Sequence, residues 1–574
     1  ADIDLGGYFS LGEGWDPIGN GESPFLGVYD GDSHTISNLF INRPDQGDIG
    51  LFGAIGHGAE IRNVGLIDAD VIGHHYVGGL TAVNYGLIIN SYVIGKVSGT
   101  TYAGGLIGYN MGSVTDSYFD GTVSHVKGYE TDEVEYAGGM VGDNSEEGSI
   151  TGCYAKATVE SEGPLIGGLA GGNLGSITDS HAISDVTGSY YVGGLTGNNG
   201  GIINNSYADG TVTGASHAGG LVGLHESLHP VTDSYFTGTV TASDDYTGGL
   251  VGENSGGTIR NCHADATVTS TGDYVGGLAG RSIGLITSSC SAGAATGGSY
   301  VGGLVGASFI NAGSGEISEG ITASYSNCAV EGEMYVGGLA GSNETPISES
   351  FATGSVAGTE NDTDNTYAGG LVGHNTGPIS DSYAWGDVSG QDMIGGLVGY
   401  NEADVTNCYE IGAVSGNSNT GGLIGVNSSG ANITGSFWNN NTSGQESSDG
   451  GISAGSVTMK QQVTYVNEDW NFDTIWDIDP VQPHAFNDGY PFLRWQVDAE
   501  FAGGSGTMED PYLIATEDHL NNVRNHLDKH FRQTANLDLS SYRSGSGWAP
   551  IGTSANTFTG TYDGNGHTIG NLFI

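Results

Sequence analysis

Tyr191–Gly214 reads YVGGLTGNNGGIINNSYADGTVTG, and close copies of it recur from about residue 50 to residue 438. A glycine pair marks each copy, from Gly78-Gly79 through Gly193-Gly194 to Gly421-Gly422, most often 26 residues after the pair before it. A worn copy, Gly50-Leu51-Phe52-Gly53 with Ile61 to Leu66, brings the count to fourteen. A recurring period in this range is the mark of a solenoid, a propeller or an array. Each copy holds three strand-like runs, Gly-Gly-Leu-Val-Gly, Ile-x-x-Ser-Tyr-Ala and Thr-Val-x-Gly, too short and glycine-rich for helices and rich in β-branched and aromatic residues. The expectation is an all-β chain: a β-solenoid of about 14 coils with a period near 26 residues, three strands per coil, capping segments and one short C-terminal helix. At the usual separation of neighbouring strands such a stack is roughly 65 Å long.

Stacking explains why one residue type returns at one position. Leu80, Leu106, Leu169, Leu195 and Leu221 are expected to form an apolar ladder along the axis. Two tyrosine columns run beside it, one before the glycine pair (Tyr76, Tyr102, Tyr191, Tyr246) and one after the serine (Tyr92, Tyr118, Tyr207, Tyr235). An exposed aromatic row could seat a glycan, whereas stacked rings also simply pack coil on coil. The replacements, His181, His263 and Phe351 in one column and His217 and Met393 in the other, favour packing. Cys153, Cys262 and Cys408 take the serine position, Cys290 the tyrosine position and Cys328 a glycine position, with no CxxC spacing, so they read as small packed residues.

Among the 574 residues, 105 are glycine but only 12 proline, and the glycines keep fixed places in the repeat, so the sequence is ordered rather than low in complexity. Acidic residues outnumber basic ones 65 to 13, a formal charge of −52. That excludes a basic footprint for nucleic acid or anionic membrane. It fits a solvated surface, cation binding or a saline habitat. No apolar run is long enough to span a bilayer.

The ends differ from the repeat. Residues 1–49 form a β leader in which Asp30-Gly31, between Val28-Tyr29 and Ile36 to Phe40, predicts a hairpin. His34 has no partner at a useful spacing and reads as structural. The solenoid occupies 50–438, and 439–500 is an aromatic cap holding Trp470, Trp476, Tyr490 and Trp495, with a short helix over Thr458 to Val466. In 501–574, a linker and a strand at Pro511 to Ala515 precede a helix N-capped by Thr516, with Leu520, Val523, Leu527 and Phe531 at helical spacing. Phe558 to Ile574 then restates Phe25 to Ile41 with an offset of 533. Three readings fit this restart: an excerpt of a tandem protein, the repeating unit of a fibre, or head-to-tail completion of one copy by another.

Swollen copies gather carboxylates at Glu130, Asp132 and Glu133 and at Glu360, Asp362 and Asp364. Neither cluster has the spacing of a calcium loop, which leaves weak Ca2+ binding at most. Asn-x-Ser/Thr sequons stand at Asn204, Asn343, Asn361, Asn427, Asn432, Asn440 and Asn441 as glycosylation candidates.

The cores Gly105-Leu-Ile-Gly108, Gly220-Leu-Val-Gly223, Gly303-Leu-Val-Gly306, Gly370-Leu-Val-Gly373 and Gly422-Leu-Ile-Gly425 resemble the GLUG-motif family. The resemblance spans most of the chain and implies a large secreted or cell-surface protein of bacteria or archaea, including adhesins and the non-catalytic parts of some metallopeptidases. It defines an architecture better than an activity. From the residues themselves, no HExxH, no GxSxG and no Cys/His pairing is present, which speaks against catalysis. Thr211 and Thr213 are not echoed in every copy, which speaks against an ice-binding array. The expected function is therefore that of a non-enzymatic extracellular structural repeat, a spacer or fibre segment with adhesion open to it. Its expected partners are copies of itself or neighbouring modules, and no cofactor is required. The alternative is a glycan-binding surface module.

Overall fold

A computed structural model describes residues 1–7, 12–125, 135–310, 320–359, 366–428, 430–478, 486–498, 506–508, 511–539, 547–553 and 557–573. The chain divides into two compact units, 1–459 and 460–574.

The first unit is a parallel β-solenoid. Each coil carries four strands rather than three, as the copy at 190–214 illustrates: Tyr190–Gly193, Thr196–Asn199, Ile202–Asn204 and Tyr207–Gly214. The extra strand was hidden inside Gly-Gly-Leu-Thr-Gly, where the chain turns a corner at Gly194-Leu195 without a conventional breaker. Each strand pairs in parallel with its counterpart one coil on, so three of the faces are sheets of thirteen, fourteen and fifteen strands. On the fourth face the strand is seven or eight residues long from Gly65–Ile72 to Cys290–Thr296, and beyond it two short strands replace one, as in Tyr325–Ser326 and Ala329–Gly332.

The interior follows from this register. The leucines at 80, 106, 169, 195 and 221 are all fully buried, each worth about 1.5–3 kcal/mol on leaving water. Coils approach so closely at the glycine pair that a Cβ on Gly194 would lie 2.0 Å from the Gly220 carbonyl oxygen. The serine position is a second ladder. Ser180 N–H donates to Ser206 Oγ at 3.2 Å and Ser206 N–H to Ser234 Oγ at 3.1 Å. All five cysteines are free thiols, and Cys153 and Cys262 replace serine by placing Sγ against the same carbonyl two residues back.

Two corners use left-handed backbone. One is filled by residues that tolerate it, among them Asn63, Asn90, Asp179, Asn205, Asp233 and Asn407. The other holds Tyr76, Tyr191, Tyr246, Tyr274, Tyr300 and Tyr335 at φ between 49 and 65°, a conformation a bulky residue adopts only when its surroundings impose it.

No hairpin forms at Asp30-Gly31. Val28–Asp30 and Thr35–Ser37 lie on different faces and pair in parallel with Glu60–Arg62 and with Gly65–Ile67. The next coil satisfies both strands, and positive φ falls on Asp32 and Ser33 instead. At the far end Ile452–Ala454 lies on Phe437–Asn439 as a last rung.

In the second unit Tyr465, Trp470 and Trp476 are buried against one another, with ring centroids 4.5 Å apart in both contacts. The helix over Thr458 to Val466 is two short ones, Ser456–Met459 and Gln462–Val466. Thr516 does cap a helix, its hydroxyl accepting the His519 N–H at 3.2 Å, but the helix ends at Asn522 and a single tighter turn follows. Phe531 belongs to the strand His530–Gln533. That strand pairs with Tyr512–Ile514 on one side and Thr561–Asp563 on the other, so pairing overrides the helical spacing.

The restart in sequence is a restart in structure. Ile3 and Asp4 pair with Ile36 and Ser37, and Leu537 and Asp538 pair with Ile569 and Gly570. The Trp15 N–H donates to Phe40 O at 2.8 Å and the Trp548 N–H to Phe573 O at 2.7 Å. Asn38 Nδ2 donates to Asp4 Oδ1 at 2.9 Å, and Asn571 Nδ2 to Asp538 Oδ1 at 2.8 Å.

Candidate functional site

The long face presents alternate residues to solvent: in Tyr207–Gly214 these are Tyr207, Asp209, Thr211 and Thr213, while Ala208 and Val212 are buried. Parallel register then builds columns. The rings of Tyr207 and Tyr235 stack 4.8 Å apart with 4° between planes, and those of Tyr118 and Tyr154 stack 4.7 Å apart at 6°. His181 and His263 keep the stack going, at 4.6 Å from Tyr207 and 4.8 Å from Tyr235. The geometry bears directly on sugar binding. A pyranose packs on an aromatic face, and here each face is covered by the next ring, so only edges meet solvent. Burial raises the Tyr235 hydroxyl to about 12. In the last coils the column closes entirely, with Tyr383 and Tyr409 at 1% and 0% exposure.

The other tyrosine column stacks less regularly, Tyr274 on Tyr300 at 4.6 Å and 7° but Tyr191 on His217 at 4.8 Å and 52°. A charged cluster gathers there. His217 Nδ1 lies 2.8 Å from Ser216 Oγ, its Nε2 lies 3.1 Å from Glu253 Oε2, and Arg281 Nη1 lies 2.5 Å from Glu253 Oε1. Burial works to raise the Glu253 carboxyl, but the hydrogen bond from His217 and the charge of Arg281 hold it below its ordinary value. Serine, histidine and carboxylate thus sit in relay order. Ser216 is nonetheless buried, and its hydroxyl also lies 3.1 Å from the Asp245 carbonyl oxygen. Glu253 is neutralised by arginine, so the arrangement acts as an ion-pair network rather than an exposed nucleophile.

Beside the first column, a hollow of about 350 Å³ is lined by Asp120, Lys156, Asp185 and Asp209. Thr211, Thr239 and Thr267 align, as do Thr213, Thr241 and Thr269, but Asp185 precedes and Ala294 follows in the first of these rows. The first row is therefore three coils long, and the second runs through five, from Thr187 to Thr296. Among the described residues no group of three or more His, Cys, Asp or Glu is placed to hold a metal. The acidic residues Glu130, Asp132, Glu133, Glu360, Asp362 and Asp364 lie outside the described residues, as does the sequon at Asn361.

Of the remaining sequons, Asn432, Asn440 and Asn441 are exposed. Asn204 and Asn427 are half-buried, with Nδ2 donating to Thr232 Oγ1 at 2.7 Å and to the Ala431 carbonyl at 3.2 Å. Asn343 is a correction: it is fully buried with Nδ2 committed to Asn375 Oδ1 at 2.9 Å, so the folded chain has no acceptor nitrogen to offer there.

Asn343 belongs to a feature the sequence reading missed, a column of buried side chains amides at the end of Val-Gly-x-Asn. Asn84, Asn110, Asn144, Asn173 and Asn199 form a chain in which each Nδ2 donates to the next Oδ1 at 2.7–2.8 Å. It resumes at Asn343, Asn375, Asn401 and Asn427. His225 interrupts it, fully buried, with Nδ1 3.1 Å from Asn199 Nδ2 and no partner for Nε2. Glu410, also fully buried, accepts the Asn439 N–H at 3.2 Å, and burial raises its carboxyl well above the carboxylate range. The signal was present as an asparagine two residues after the second glycine of most copies, with His225, Ser282 and Ser308 in its place in three.

These features define a parallel β-solenoid repeat protein whose polar chemistry is largely turned inward. The GLUG motif matches residues 99–124, 188–213 and 245–269, so these coils are GLUG repeats. It is similar to a protein described as a Gly-rich membrane protein in Evansella cellulosilytica, 50% identical over 84 residues, 14% of this chain and 10% of that one. It is also similar to halomucin of Haloquadratum walsbyi, 37% identical over 106 residues, 17% of this chain and 1% of halomucin. The chain therefore matches only a small part of either relative. No solved structure matches. No helix among the described residues is long and apolar enough to cross a membrane.

Proposed function

We propose that this chain is a non-catalytic structural segment of an extracellular or cell-surface protein, a stiff acidic spacer whose modules follow one another head to tail. The observation that carries this reading is the continuity of the four parallel ladders around the buried amide column. Every coil is held by its neighbours along its whole perimeter, which resists bending and local opening. The names of the two relatives, a membrane protein and a mucin, support placement at the surface. The reading needs no cofactor.

Single-molecule stretching tests it. The solenoid should resist as one body and then yield in steps of about 90 Å, the extended length of one coil. Smooth extension at low force would remove the spacer reading.

A glycan-binding surface remains the second reading because the hollow beside the tyrosine edges offers carboxylates and a lysine at one place. Glycan-array binding that disappears in Tyr207→Ala and Tyr235→Ala would support it. No binding, or binding unchanged in those variants, would end it.

A further inference from the structure

The residue just before the column asparagine forms a row of its own, which reads Asp143, Gly172, Asn198 in three successive coils and Glu253, Arg281 in two later ones. The row thus holds a buried carboxylate twice. Glu253 is paired: Arg281, one rung on, brings Nη1 within 2.5 Å of its Oε1 and lays the guanidinium over the Phe309 ring, 5.0 Å from its centroid. Asp143 is only 6% exposed and, among the described residues, makes no hydrogen bond and no ion pair. Burial lifts its carboxyl to about 6, with no donor or cation acting against the rise.

Where Arg281 stands one rung beyond Glu253, Gly172 stands one rung beyond Asp143 and brings no side chain. The Asp143 carboxylate leans over that glycine, since a Cβ there would lie 2.5 Å from Oδ1. The Tyr136 ring borders the same point, with Cε1 2.8 Å from it. Tyr102 stacks on one face of Tyr136 at 4.9 Å, and the column continues with Leu165, so no ring covers the other face. On the far side of Gly172, Asn198 Nδ2 donates to Glu226 Oε1 at 2.7 Å, while Asn198 Oδ1 is sealed from water and receives no donor. A carboxylate and an amide oxygen, both short of donors, therefore flank one glycine beside an aromatic ring.

We propose that the position over Gly172 is a binding site for a guanidinium group, held by Asp143 and Asn198 Oδ1 and packed on Tyr136. Acceptors on both sides of one rung suit a planar cation with several donors, and an aromatic face suits its delocalised charge. The bound group donates to Asp143 as Arg281 donates to Glu253, and it lies on Tyr136 as Arg281 lies on Phe309. An ammonium is a compact, strongly hydrated charge and fits such a seat less well. A free guanidino compound and an arginine side chain of another protein share this chemistry. The site stands independently of the spacer reading.

The test is calorimetric titration of the full chain with methylguanidinium at neutral pH and constant ionic strength, which should show saturable binding. Asp143→Asn removes an unpaired buried charge, so the chain keeps its fold, and it should weaken binding at least about tenfold. Tyr136→Leu, the residue that follows in the column, should weaken it roughly three- to tenfold. A chain of net charge −52 also gathers cations diffusely, but losing one charge leaves that background in place, so the loss at Asp143→Asn reads the local site. Gly172→Arg supplies the guanidinium from within and should abolish binding. Methylammonium should bind at least about tenfold more weakly than methylguanidinium.

N-acetyl-arginine amide separates the two sources. Binding as tight as that of methylguanidinium assigns the seat to an arginine side chain, and exclusion of the larger molecule assigns it to a free compound. Methylguanidinium that fails to saturate the chain overturns the proposal and leaves the two oxygens to an ordered water. Affinity unchanged in Asp143→Asn overturns it as well, as does methylammonium that binds equally well.

Discussion

Tyr191 and Asn199 lie eight residues apart in the copy that defines the repeat, and the next copy carries histidine at both places, as His217 and His225. At the outer corner His217 finds partners on both ring nitrogens, Ser216 and Glu253. In the amide column His225 is sealed, and its Nε2 makes no hydrogen bond. His217 thus faces a carboxylate, whereas burial weighs against a charge on His225 and Glu226 offsets that only weakly. The same substitution is thus absorbed by one column and strained in the other, which shows that the tyrosine column is a forgiving surface and the asparagine column a demanding core.

The hardest way to break this contrast is at Asn173, which accepts from Asn144 Nδ2 and donates to Asn199 Oδ1, both at 2.7 Å. Asn173→Ala strands one donor and one acceptor where water cannot reach. A loss of about 3 kcal/mol or more follows, read as a fall in the urea midpoint at unchanged slope. A loss under about 1 kcal/mol would mean that the column relaxes and that the sealed amides do not set the stability of the coil.

A finer probe is pH. Burial lowers the His225 pKa, against weaker opposing effects of its contacts with the Asn199 and His229 backbone and of the Glu226 charge, so the folded chain holds it neutral. The unfolded chain protonates it below about 6.5. Between that value and the folded pKa the unfolded state binds the extra proton, so stability is present above about 6.5 and declines as pH falls through this window. The slope is at most about 1.4 kcal/mol per pH unit. His225→Asn restores the amide and should remove this limb, so wild type and variant should diverge between pH 7 and pH 5.5 in urea titrations. Parallel curves would show that His225 is not held neutral.

Much of this was legible beforehand, and the reasons are specific. Gly194, Leu195 and Tyr207 recur at one period, and in a solenoid recurrence is contact, so the solenoid and the leucine ladder followed; the count of fourteen coils was low, since one face alone stacks fifteen strands. The asparagines were invisible because Asn beside glycine also reads as a turn, and nothing in Asn198-Asn199-Gly200 says that the second amide points inward. The tyrosines were found but their meaning was not, because a list of rings does not say whether faces or edges meet solvent. Phe531 satisfied a helical spacing by coincidence, and strand pairing with Tyr512–Ile514 and Thr561–Asp563 outweighed it.

The smallest expected effect is the most discriminating. His217→Tyr returns the tyrosine of the column, and because His217 already sits at φ 50°, the left-handed strain is unchanged by the substitution. The new ring can stack on Tyr191 and Tyr246, where His217 now lies tilted at 52° and 36°, a gain of about 0.5–1.5 kcal/mol. The hydrogen bond to Glu253 is lost, but Arg281 still pairs with that carboxylate at 2.5 Å, so no buried charge is stranded. These terms nearly cancel, and the net change should stay within about 1 kcal/mol of zero. A loss of about 2 kcal/mol or more in the urea midpoint would show that the Ser216–His217–Glu253 network is built rather than tolerated, and would move the outer corner from forgiving surface to specific site.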